Sequence, residues 1–453
     1  MEDHAALMQD LAHRRVLVLG LGISGVSAAN FCAQHGAQVV AADESSPQAL
    51  DRLSDLDPGV ERALGRAFPD PADFDLVVPS PGVPRERYAD RALRVWGDVE
   101  LLYRVLAVPI LAVTGTNGKS TTTRLVESML RAAGLRARAA GNVGAPALGL
   151  VGEGLDWAVL EVSSFQLETT EEFRPRVAVI LNLTPDHLDR HASFEAYRDA
   201  KARILAQQEA DDVAVLNFDD PTVRALADAC RARVVPFRTT GALAHGAWLD
   251  LDCVVLRDGD APAVRLPLSG LRLAGVHNLE NAVAALAAAA AAGADPSKAI
   301  LALDDFVGLP HRAEEVGRAR GALFVNDSKA TNPGAAAQSL RSFPDAVIWI
   351  AGGRDKGLDF AELAAIAASR VRAAVLIGEA AGKIEDALAG RVDVHSAASI
   401  EEAVDCAAGL AREGDVVLLS PGCASQDQFR DFEERGDRFR AAVGALARAE
   451  RAT

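Results

Sequence analysis

The chain has 453 residues, of which 49% are hydrophobic and only 5% are aromatic, and its formal net charge is −16. This length and composition predict a soluble protein of about three domains with a core of Ala, Val and Leu. The acidic excess argues against binding to nucleic acid or to anionic membranes, because the overall field repels both.

Cysteine usage and the apolar tracts point to the compartment. The chain has five scattered cysteines and no C-x-x-C pair, which favours a reducing compartment and argues against structural zinc. The first residues are acidic, unlike a signal peptide. The most apolar tract, residues 282–294, is too short and alanine-rich to span a bilayer and predicts a buried helix. We therefore expect a cytoplasmic protein.

The first predicted unit begins with a βαβ pattern. The apolar run 15–19 enters the turn Gly20-Leu21-Gly22-Ile23-Ser24-Gly25, and the next apolar run ends at Asp43. By itself, a G-x-G-x-x-G turn with an acid after the second strand is typical of an NAD site. A third strand, residues 75–78, ends in a turn that contains Ser80, on the same sheet edge as Gly22.

The second predicted unit opens with the most informative motif of the chain. An apolar run from Pro109 leads into Gly115-Thr116-Asn117-Gly118-Lys119-Ser120-Thr121, which begins a helical pattern. Backbone N–H groups at such a helix start bind phosphate, the lysine adds positive charge, and the hydroxyl can ligate magnesium. The motif is shorter than the usual one, because Val113 stands where a first glycine is expected. The sequence predicts nucleotide phosphate binding.

Three further residues of this unit are candidates with open alternatives. Glu161 ends an apolar strand near the phosphate loop, where it is either a magnesium ligand or an acid paired with a lysine. His187 follows the run 177–182 and is compatible with a general base or a capping histidine. Lys201 lies in a helical stretch, where a lysine is typical of the solvated surface.

The third predicted unit starts near Pro310 and again alternates apolar strands with polar loops. Arg312 and the cluster 327–333 suit a transferring phosphoryl group, because a guanidinium holds two oxygens at once. The loop 352–357 is either a solvated turn or a place where Lys356 binds a substrate carboxylate. Cys423 has no histidine nearby and is interpreted as a packing residue. Three such units predict a reaction site enclosed between domains.

In this order the motifs make the chain resemble the Mur ligase family, in particular its D-glutamate-adding members, almost from end to end. The short phosphate loop is a feature of that family. The resemblance implies an α/β fold of three domains: a Rossmann-like UDP-binding domain (1–106), a central P-loop-type ATPase domain (107–309) and a Rossmann-like domain that binds the amino acid (310–453). It rests on residues 115–121, 141–144, 161–166, 186–187, 197–201, 277–281, 311–312, 326–332, 352–357 and 420–432.

The resemblance implies an ATP site, two magnesium ions and a modified lysine. The ATP-binding residues would be Gly115, Thr116, Asn117, Gly118, Lys119, Ser120, Thr121, Asn278, Asn281, Arg312, Asp327 and Lys329. Ser120 would ligate one magnesium ion, and Glu161 and His187 the other, together with a carbamate formed from Lys201 and CO₂. A carbamate requires a neutral amine, hence a lysine whose pKa lies below the usual value of about 10.4. The implied catalytic residues are Lys119, Asn142, His187 and Lys201, with Asn142 facing the muramoyl-alanine end of the substrate.

The resemblance also implies sites for two small-molecule substrates, UDP-N-acetylmuramoyl-L-alanine and D-glutamate. The glycine-rich turn of the first unit would then bind UDP and not NAD, through Gly22, Ile23, Ser24, Asp43 and Ser80. Residues 43–45 depart from the threonine–arginine pair often found there. D-glutamate would contact Thr331, Lys356, Ser425, Gln426 and Phe432; the family often has leucine where Gln426 stands.

The implied activity is ATP-dependent amide formation in peptidoglycan precursor synthesis. The L-alanine carboxylate attacks the γ-phosphate of ATP, and the amine of D-glutamate then expels phosphate through a tetrahedral intermediate. We expect a monomer. A sibling ligase for another amino acid, a folylpolyglutamate synthetase, an NAD-dependent oxidoreductase and a non-catalytic UDP-sugar sensor are the alternatives. The third unit lacks the Asp-Asn-Pro-Arg signature of the diamino-acid-adding siblings, and a folate enzyme would lack the first unit. Lys119, Glu161 and His187 argue against the sensor.

Overall fold

The computed structural model describes residues 11–142, 144–188, 190–259, 261–268, 276–306, 308–343, 346–355 and 357–452. Within these ranges the strands form a four-stranded, a nine-stranded and a six-stranded sheet, each of mostly parallel strands with helices between them. This is the α/β architecture of three domains that the sequence predicts.

The regular elements have the following bounds. The strands are β1 (Arg15–Leu19), β2 (Gln38–Asp43), β3 (Glu61–Leu64), β4 (Leu76–Pro79), β5 (Ile110–Thr114), β6 (Ala137–Gly141), β7 (Trp157–Glu161), β8 (Val177–Ile180), β9 (Val213–Asn217), β10 (Arg233–Arg238), β11 (Gly246–Asp250), β12 (Cys253–Arg257), β13 (Val264–Pro267), β14 (Glu314–Ala319), β15 (Ala322–Asn326), β16 (Val347–Gly352), β17 (Val371–Ile377), β18 (Asp393–Ser396) and β19 (Val416–Leu419). The helices are α1 (Ile23–Gln34), α2 (Asp98–Val105), α3 (Lys119–Ala132), α4 (Ser164–Leu167), α5 (Phe194–Ala202), α6 (Pro221–Ala225), α7 (Val276–Ala291), α8 (Pro296–Ala299), α9 (Ala302–Asp305), α10 (Pro333–Arg341), α11 (Ala361–Arg370), α12 (Ala381–Leu388), α13 (Ile400–Leu410) and α14 (Phe432–Ala452).

The first sheet has the order β3-β2-β1-β4, and all its pairs are parallel. The second sheet has the order β13-β12-β11-β10-β9-β8-β5-β7-β6, with antiparallel pairing only at β11-β12-β13. The third sheet has the order β14-β15-β19-β16-β17-β18, in which β14-β15 is antiparallel. Parallel strands place their carboxyl ends at one edge, so the loops that carry the candidate residues meet at that edge of each sheet.

The buried core consists mainly of Ala, Val and Leu side chains, as the composition predicts. Every residue of β5, β8 and β9 is buried, as expected for parallel strands covered on both faces. The alanine-rich tract lies in α7, where residues 282–289 are buried, so the prediction of a buried helix is confirmed. No helix among the described residues combines the length and the hydropathy that crossing a bilayer requires.

The described residues divide into two compact units. The first contains the first two sheets, and the second contains the third sheet together with residues 184–188 and 276–279. Within the first unit, the buried carboxylate of Glu100 on α2 accepts hydrogen bonds from the backbone N–H groups of residues 171–173 and from Arg104. This contact attaches the helix that follows the first sheet to the second sheet.

Candidate active site

The phosphate loop has the strand–loop–helix geometry that its sequence predicts. It joins β5 to α3, and Gly118 takes the left-handed conformation (φ 85°) just before the helix starts. The Nζ of Lys119 donates to the carbonyl oxygens of Gly115 (2.9 Å) and Thr116 (2.8 Å). The side chain of Ser120 is buried at the helix start. The loop therefore holds an ammonium group and a hydroxyl beside the N-terminal N–H groups of a helix, which is an anion site.

Asn182, which follows the neighbouring strand β8, fixes the shape of this loop. Its side-chain oxygen accepts from the N–H of Asn117 (2.8 Å), and its backbone oxygen accepts from the N–H of Thr116 (2.8 Å). Its amide group also donates to the carbonyl of Asn117 (3.2 Å). The sequence reasoning missed Asn182; the signal available was its position at the end of a strand adjacent to the phosphate-loop strand.

Asn281 packs against the same loop from α7. Its Oδ1 accepts from the hydroxyl of Thr122 (3.3 Å) and lies 2.3 Å from the position that a Cβ on Gly118 would take. Gly118 therefore has two reasons to be glycine, the positive φ and the close approach of Asn281.

Glu161 lies at the end of β7, directly beside the phosphate-loop strand, where its register partner is Val113. Its side chain is buried, and Oε1 accepts from the Nδ2 of Asn142 (2.9 Å). Oε2 is also buried and has no hydrogen-bond partner among the described residues.

The donor set around Glu161 fits a hard divalent cation. An unpaired buried carboxylate oxygen is costly unless a cation or a donor faces it, and Mg²⁺ prefers oxygen ligands. No group of three or more His, Cys, Asp and Glu side chains converges as a metal site among the described residues. Further protein ligands of a cation at Glu161 would therefore include groups of other types, such as a hydroxyl.

Lys201 is buried, so the prediction of a solvated surface lysine, made from its helical context, is wrong. Only 1% of the residue is exposed. Its Nζ lies 3.4 Å from the Oγ1 of Thr114, the last residue of the phosphate-loop strand, and 4.9 Å from the centre of the Tyr197 ring.

His187 belongs to the second compact unit and has a positive φ of 54°. Its N–H donates to the Oδ1 of Asp186 (2.9 Å), and its Nε2 lies 3.7 Å from Oδ2 of the same carboxylate. Asp186 in turn accepts from the Nδ2 of Asn332 (3.0 Å), which caps α10. This loop therefore packs with the third sheet, and the imidazole stays 37% exposed.

Asp327 is one of the residues predicted to bind ATP that lie in the second compact unit. Its carboxylate accepts from the N–H of Ala313 (3.2 Å) and from the hydroxyl of Ser420 (3.2 Å). Burial raises the pKa of Asp327 to about 6, although these hydrogen bonds and the charge of Arg312 oppose the rise. Asn278 on α7 is buried. The structure thus brings Arg312 and Asp327 together.

The residues predicted to bind D-glutamate differ in their surroundings. The Nζ of Lys329 lies 3.6 Å from the centre of the Phe432 ring, so a predicted ATP residue touches a predicted amino-acid residue. Ser425 is buried, and its hydroxyl has no hydrogen-bond partner among the described residues. Gln426 is exposed, Thr331 is half-buried, and Lys356 lies outside the described residues.

Arg435, which the sequence reasoning missed, ties together two loops that carry these residues. Its guanidinium is fully buried and donates to the hydroxyl (2.9 Å) and the carbonyl (2.8 Å) of Ser328. It also donates to the carbonyls of Cys423 (3.2 Å) and Ala424 (3.3 Å). Cys423 itself packs in the core of the third sheet, as the sequence predicts.

The glycine-rich turn of the first sheet is held by its own polar side chains. The carboxylate of Asp43 accepts from the N–H groups of Leu21 and Ser45 (2.8 Å each), and Ser80 donates to the carbonyl of Gly20 (2.7 Å). Gly22 and Ile23 are exposed at the start of α1. The turn therefore presents an exposed helix N-terminus, which suits a phosphate group.

Three family descriptions match the chain in succession. Residues 14–93 match the MurD-like N-terminal domain of Mur ligases, residues 113–289 the Mur ligase middle domain, and residues 311–423 the glutamate ligase domain of Mur ligases. Each match falls inside one of the three domain ranges expected from the sequence, whose exact boundaries stay a prediction.

Similar proteins include curated relatives of nearly the same length. The UDP-N-acetylmuramoylalanine–D-glutamate ligase of Geobacter metallireducens is 45% identical over 456 residues, covering 98% of this chain and 100% of the relative. The ligase of the same name from Pelotomaculum thermopropionicum is 43% identical, with 97% and 99% covered.

Among solved structures, the UDP-N-acetylmuramate–alanine ligase of Thermotoga maritima has a TM-score of 0.61 at 19% identity and covers 96% of this chain and 100% of its own. The folylpolyglutamate synthase of Mycobacterium tuberculosis has a TM-score of 0.57 at 18% identity and covers 75% of this chain and 94% of its own. At these identities the likeness shows the fold alone.

Proposed function

The chain belongs to the Mur ligase family, and we propose that it joins D-glutamate to UDP-N-acetylmuramoyl-L-alanine with the conversion of ATP to ADP and phosphate. The observation that carries the proposal is the identity of 42–45% over nearly the whole chain with relatives that are named UDP-N-acetylmuramoylalanine–D-glutamate ligase. The geometry of the first compact unit supports it, because a phosphate loop and an unpaired carboxylate oxygen lie on neighbouring strands.

The phosphate loop would bind the β- and γ-phosphates of ATP through the backbone N–H groups of residues 115–120. Lys119 would place a positive charge beside the γ-phosphoryl group during its transfer and beside the bridging oxygen that leaves with ADP. Such electrostatic stabilisation, together with positioning, is the main contribution that a protein makes to phosphoryl transfer. A carboxylate alone resists attack by an amine because its leaving group would be an oxide. Phosphorylation of the L-alanine carboxylate supplies a better leaving group.

Glu161 is the residue best suited to hold magnesium, since its Oε2 is buried without a partner in the described part of the chain. Ser120, His187 and a carbamate on Lys201 would complete two such sites. Magnesium, when bound, neutralises the charge that develops on the phosphoryl oxygens. Asn142 fixes the other oxygen of Glu161 and thereby directs Oε2 away from itself.

The second compact unit would supply the amino acid. Ser425 and Phe432 would contact it, and the buried hydroxyl of Ser425 has no hydrogen-bond partner in the described part of the chain. The free amine of D-glutamate attacks the acyl carbon, the tetrahedral intermediate collapses, and phosphate leaves with the C–O bonding pair. Exclusion of water protects the acyl phosphate from hydrolysis.

An NAD-dependent oxidoreductase is the alternative from another class, and the phosphate loop between β5 and α3 argues against it. A sibling ligase for another amino acid is the alternative within the family. The cytoplasmic location and the monomeric state remain predictions.

The decisive experiment is an amine panel with the purified protein. ATP and UDP-N-acetylmuramoyl-L-alanine are incubated with D-glutamate, L-glutamate, meso-diaminopimelate or no amine, while UDP-N-acetylmuramate with L-alanine tests a sibling activity. We expect ADP release above background with D-glutamate alone. ADP release with another combination of UDP substrate and amine, and none with UDP-N-acetylmuramoyl-L-alanine plus D-glutamate, would assign the chain to the reaction of another Mur ligase. A change of nicotinamide absorbance with NADH would favour the oxidoreductase.

A further inference from the structure

Asn217, the last residue of β9, has a buried side chain to which the proposed reaction assigns no role. It is 2% exposed. Its Nδ2 donates to the carbonyl oxygen of Leu181 (2.7 Å) and to the Oε1 of Glu280. Its Oδ1 accepts from the backbone N–H of Asp219 (2.9 Å). Both N–H donors of the amide therefore have an acceptor, and its oxygen has a donor.

These contacts fix the orientation of the amide. A flip would place Nδ2 against the N–H of Asp219 and would place Oδ1 against two acceptors, the carbonyl of Leu181 and the carboxylate of Glu280. A side chain this deeply buried cannot replace the lost bonds with bonds to solvent. Asn217 therefore holds Leu181 and Glu280 at a fixed separation.

Leu181 connects Asn217 to the phosphate loop. The carbonyl that Asn217 binds belongs to the planar peptide bond between Leu181 and Asn182, so its position sets the position of Asn182. The side-chain oxygen of Asn182 accepts from the N–H of Asn117 (2.8 Å), and its backbone oxygen accepts from the N–H of Thr116 (2.8 Å). Asn217 is thus one residue removed from the group that shapes the loop.

Glu280 connects Asn217 to a second contact of the same loop. It lies on α7 directly before Asn281, whose Oδ1 accepts from the hydroxyl of Thr122 (3.3 Å). That oxygen also lies 2.3 Å from the position that a Cβ on Gly118 would take. Because consecutive residues of a helix keep a fixed relation, the bond to Glu280 fixes where α7 presents Asn281.

The carboxylate of Glu280 benefits from this donor. Burial and the charges of Asp219 and Asp220 raise the pKa of Glu280 to about 7, although the hydrogen bond from Asn217 opposes the rise. Asn217 therefore favours the ionised carboxylate, which accepts a stronger hydrogen bond than a neutral acid does.

We propose that Asn217 is a positioning residue for the triphosphate of ATP. One amide holds the peptide before Asn182 and the side chain before Asn281, so that these two asparagines keep the phosphate loop in the shape that binds phosphate. The inference rests on the proposed function only for ATP as the nucleotide. The identity of the acyl donor and of the amine does not enter it.

Gln208 provides a matched comparison at the amino ends of the same two strands. It is fully buried, and its Nε2 donates to the carbonyl oxygens of Pro175 (2.9 Å) and Val213 (3.1 Å). Pro175 precedes β8, and Val213 begins β9. This amide therefore also joins the two strands, but at the sheet edge away from the phosphate loop.

The variants Asn217→Ala and Gln208→Ala each remove a buried amide that donates two hydrogen bonds, and both should lower the Tm. Loss of a hydrogen bond to a charged group corresponds to a factor of roughly ten. We expect Asn217→Ala to raise the Kd for ATP by about that factor in titration calorimetry with magnesium at pH 8. Gln208→Ala should stay within about twofold of wild type. In steady-state kinetics Asn217→Ala should raise the KM for ATP and leave the KM values for the UDP substrate and D-glutamate within about twofold.

An exchange of donor and acceptor gives a second test. Asn217→Asp places a carboxylate against the carboxylate of Glu280, and it should weaken ATP binding at least as much as Asn217→Ala. Asn217→Asp/Glu280→Gln restores the pairing with reversed polarity, because the new amide donates to the new carboxylate. We expect the double variant to bind ATP several-fold more tightly than Asn217→Asp. The alanine pair answers the question even if Asn217→Asp does not fold.

Three results would overturn the proposal: an unchanged Kd for ATP in Asn217→Ala, an equal rise in Gln208→Ala, or no gain of the double variant over Asn217→Asp. The same titrations separate this inference from the proposed function. Wild-type protein that binds ATP but releases no ADP with UDP-N-acetylmuramoyl-L-alanine and D-glutamate contradicts the function and leaves the role of Asn217 standing.

Discussion

The phenolic hydroxyl of Tyr197 lies 3.1 Å from the Oγ1 of Thr116, so the helix that carries Lys201 is hydrogen-bonded to the phosphate loop. One helical turn further along, the Nζ of Lys201 lies 3.4 Å from the Oγ1 of Thr114 at the base of the same loop. The helix that carries the buried lysine is therefore held directly against the phosphate loop by these two contacts. A change in the chemistry of Lys201 should act directly on a nucleotide held by that loop.

We predict that Lys201→Ala loses at least about 100-fold in kcat, because metal-assisted phosphoryl transfer would lose the oxygen ligands of the carbamate that we propose on Lys201. Short carboxylic acids such as formate or acetate should restore part of the activity, since they can place two oxygens in the space that the side chain leaves. ADP release with and without the acid measures this. If the variant is folded and no acid restores its activity, Lys201 is a structural residue. Lys119→Ala is the control: it lacks a cation, so added carboxylic acids should not restore its activity.

We predict that Lys119→Ala abolishes acyl-phosphate formation. Its ammonium is held over the loop by the carbonyls of Gly115 and Thr116, and removal of such a charge from a phosphoryl-transfer site costs about 100–1,000-fold in rate. Phosphate release is the measurement, and surviving ATP-dependent release would remove Lys119 from the mechanism. Arg131→Ala is the matched control, because Arg131 lies near the end of the same helix with a side chain 56% exposed.

The sequence predicts well those elements whose residues are buried on both faces. The strands β5, β8 and β9 are continuous apolar runs and are found where expected. Eight strands were not predicted: β3, β6, β10, β11, β12, β13, β14 and β18. Of these, β3, β13 and β18 are short and largely exposed and carry little periodic signal. The strand–loop–helix unit at Lys119 was found because its signal is local.

The features of the site that the sequence does not predict depend on contacts between residues far apart in the chain. Asn217 and Glu280 are 63 residues apart, and Asn117 and Asn182 are 65 apart, so neither pair has a spacing that a motif would record. The burial of Lys201 depends on Thr114 and Tyr197 packing around it. From the residues alone that helix position is indistinguishable from a solvated one, and the family resemblance was needed to single it out.

We predict that Asp327→Asn stabilises the protein at alkaline pH while it impairs ATP turnover. Burial raises the pKa of Asp327 from 3.8 to about 6. The stability linked to this carboxyl is therefore fully present below pH 3.8 and is lost as the pH rises through about 6. The asparagine does not titrate, so it avoids this loss, and we expect a gain of about 1–2 kcal/mol in the free energy of unfolding at pH 8.

Urea unfolding at pH 8 and at pH 5 tests whether the stabilisation by Asp327→Asn depends on pH in the expected direction. The difference between Asp327→Asn and wild type should shrink at pH 5, where the wild-type carboxyl is mostly protonated. The exposed Asp386 lies in the same compact unit, and Asp386→Asn should give the same small difference at both values. A gain for Asp327→Asn that does not depend on pH would show that charge burial is not its cause.

The glycine-rich turn offers a matched pair of substitutions that separates folding from nucleotide binding. A Cβ on Gly25 would lie 1.8 Å from the carbonyl oxygen of Gly20 and 2.6 Å from the Oγ of Ser80, whereas a Cβ on Gly22 would have no atom within 4 Å. The carbonyl of Gly20 is backbone, and its residue is anchored by the bond from its N–H to Ala42 (2.8 Å). It cannot move aside without disturbing the edge of the first sheet, so Gly25→Ala should cost about 2–4 kcal/mol in the free energy of unfolding.

Gly22 has φ −74° and ψ −168°, which alanine adopts readily, so Gly22→Ala should change the stability by less than about 0.5 kcal/mol. Its methyl group would nevertheless lie at the exposed N-terminus of α1, where a diphosphate approaches the backbone, and we expect weaker binding of UDP-N-acetylmuramoyl-L-alanine in titration calorimetry. Equal stabilities of the two variants would refute the steric argument, and unchanged affinity in Gly22→Ala would place the diphosphate away from this turn.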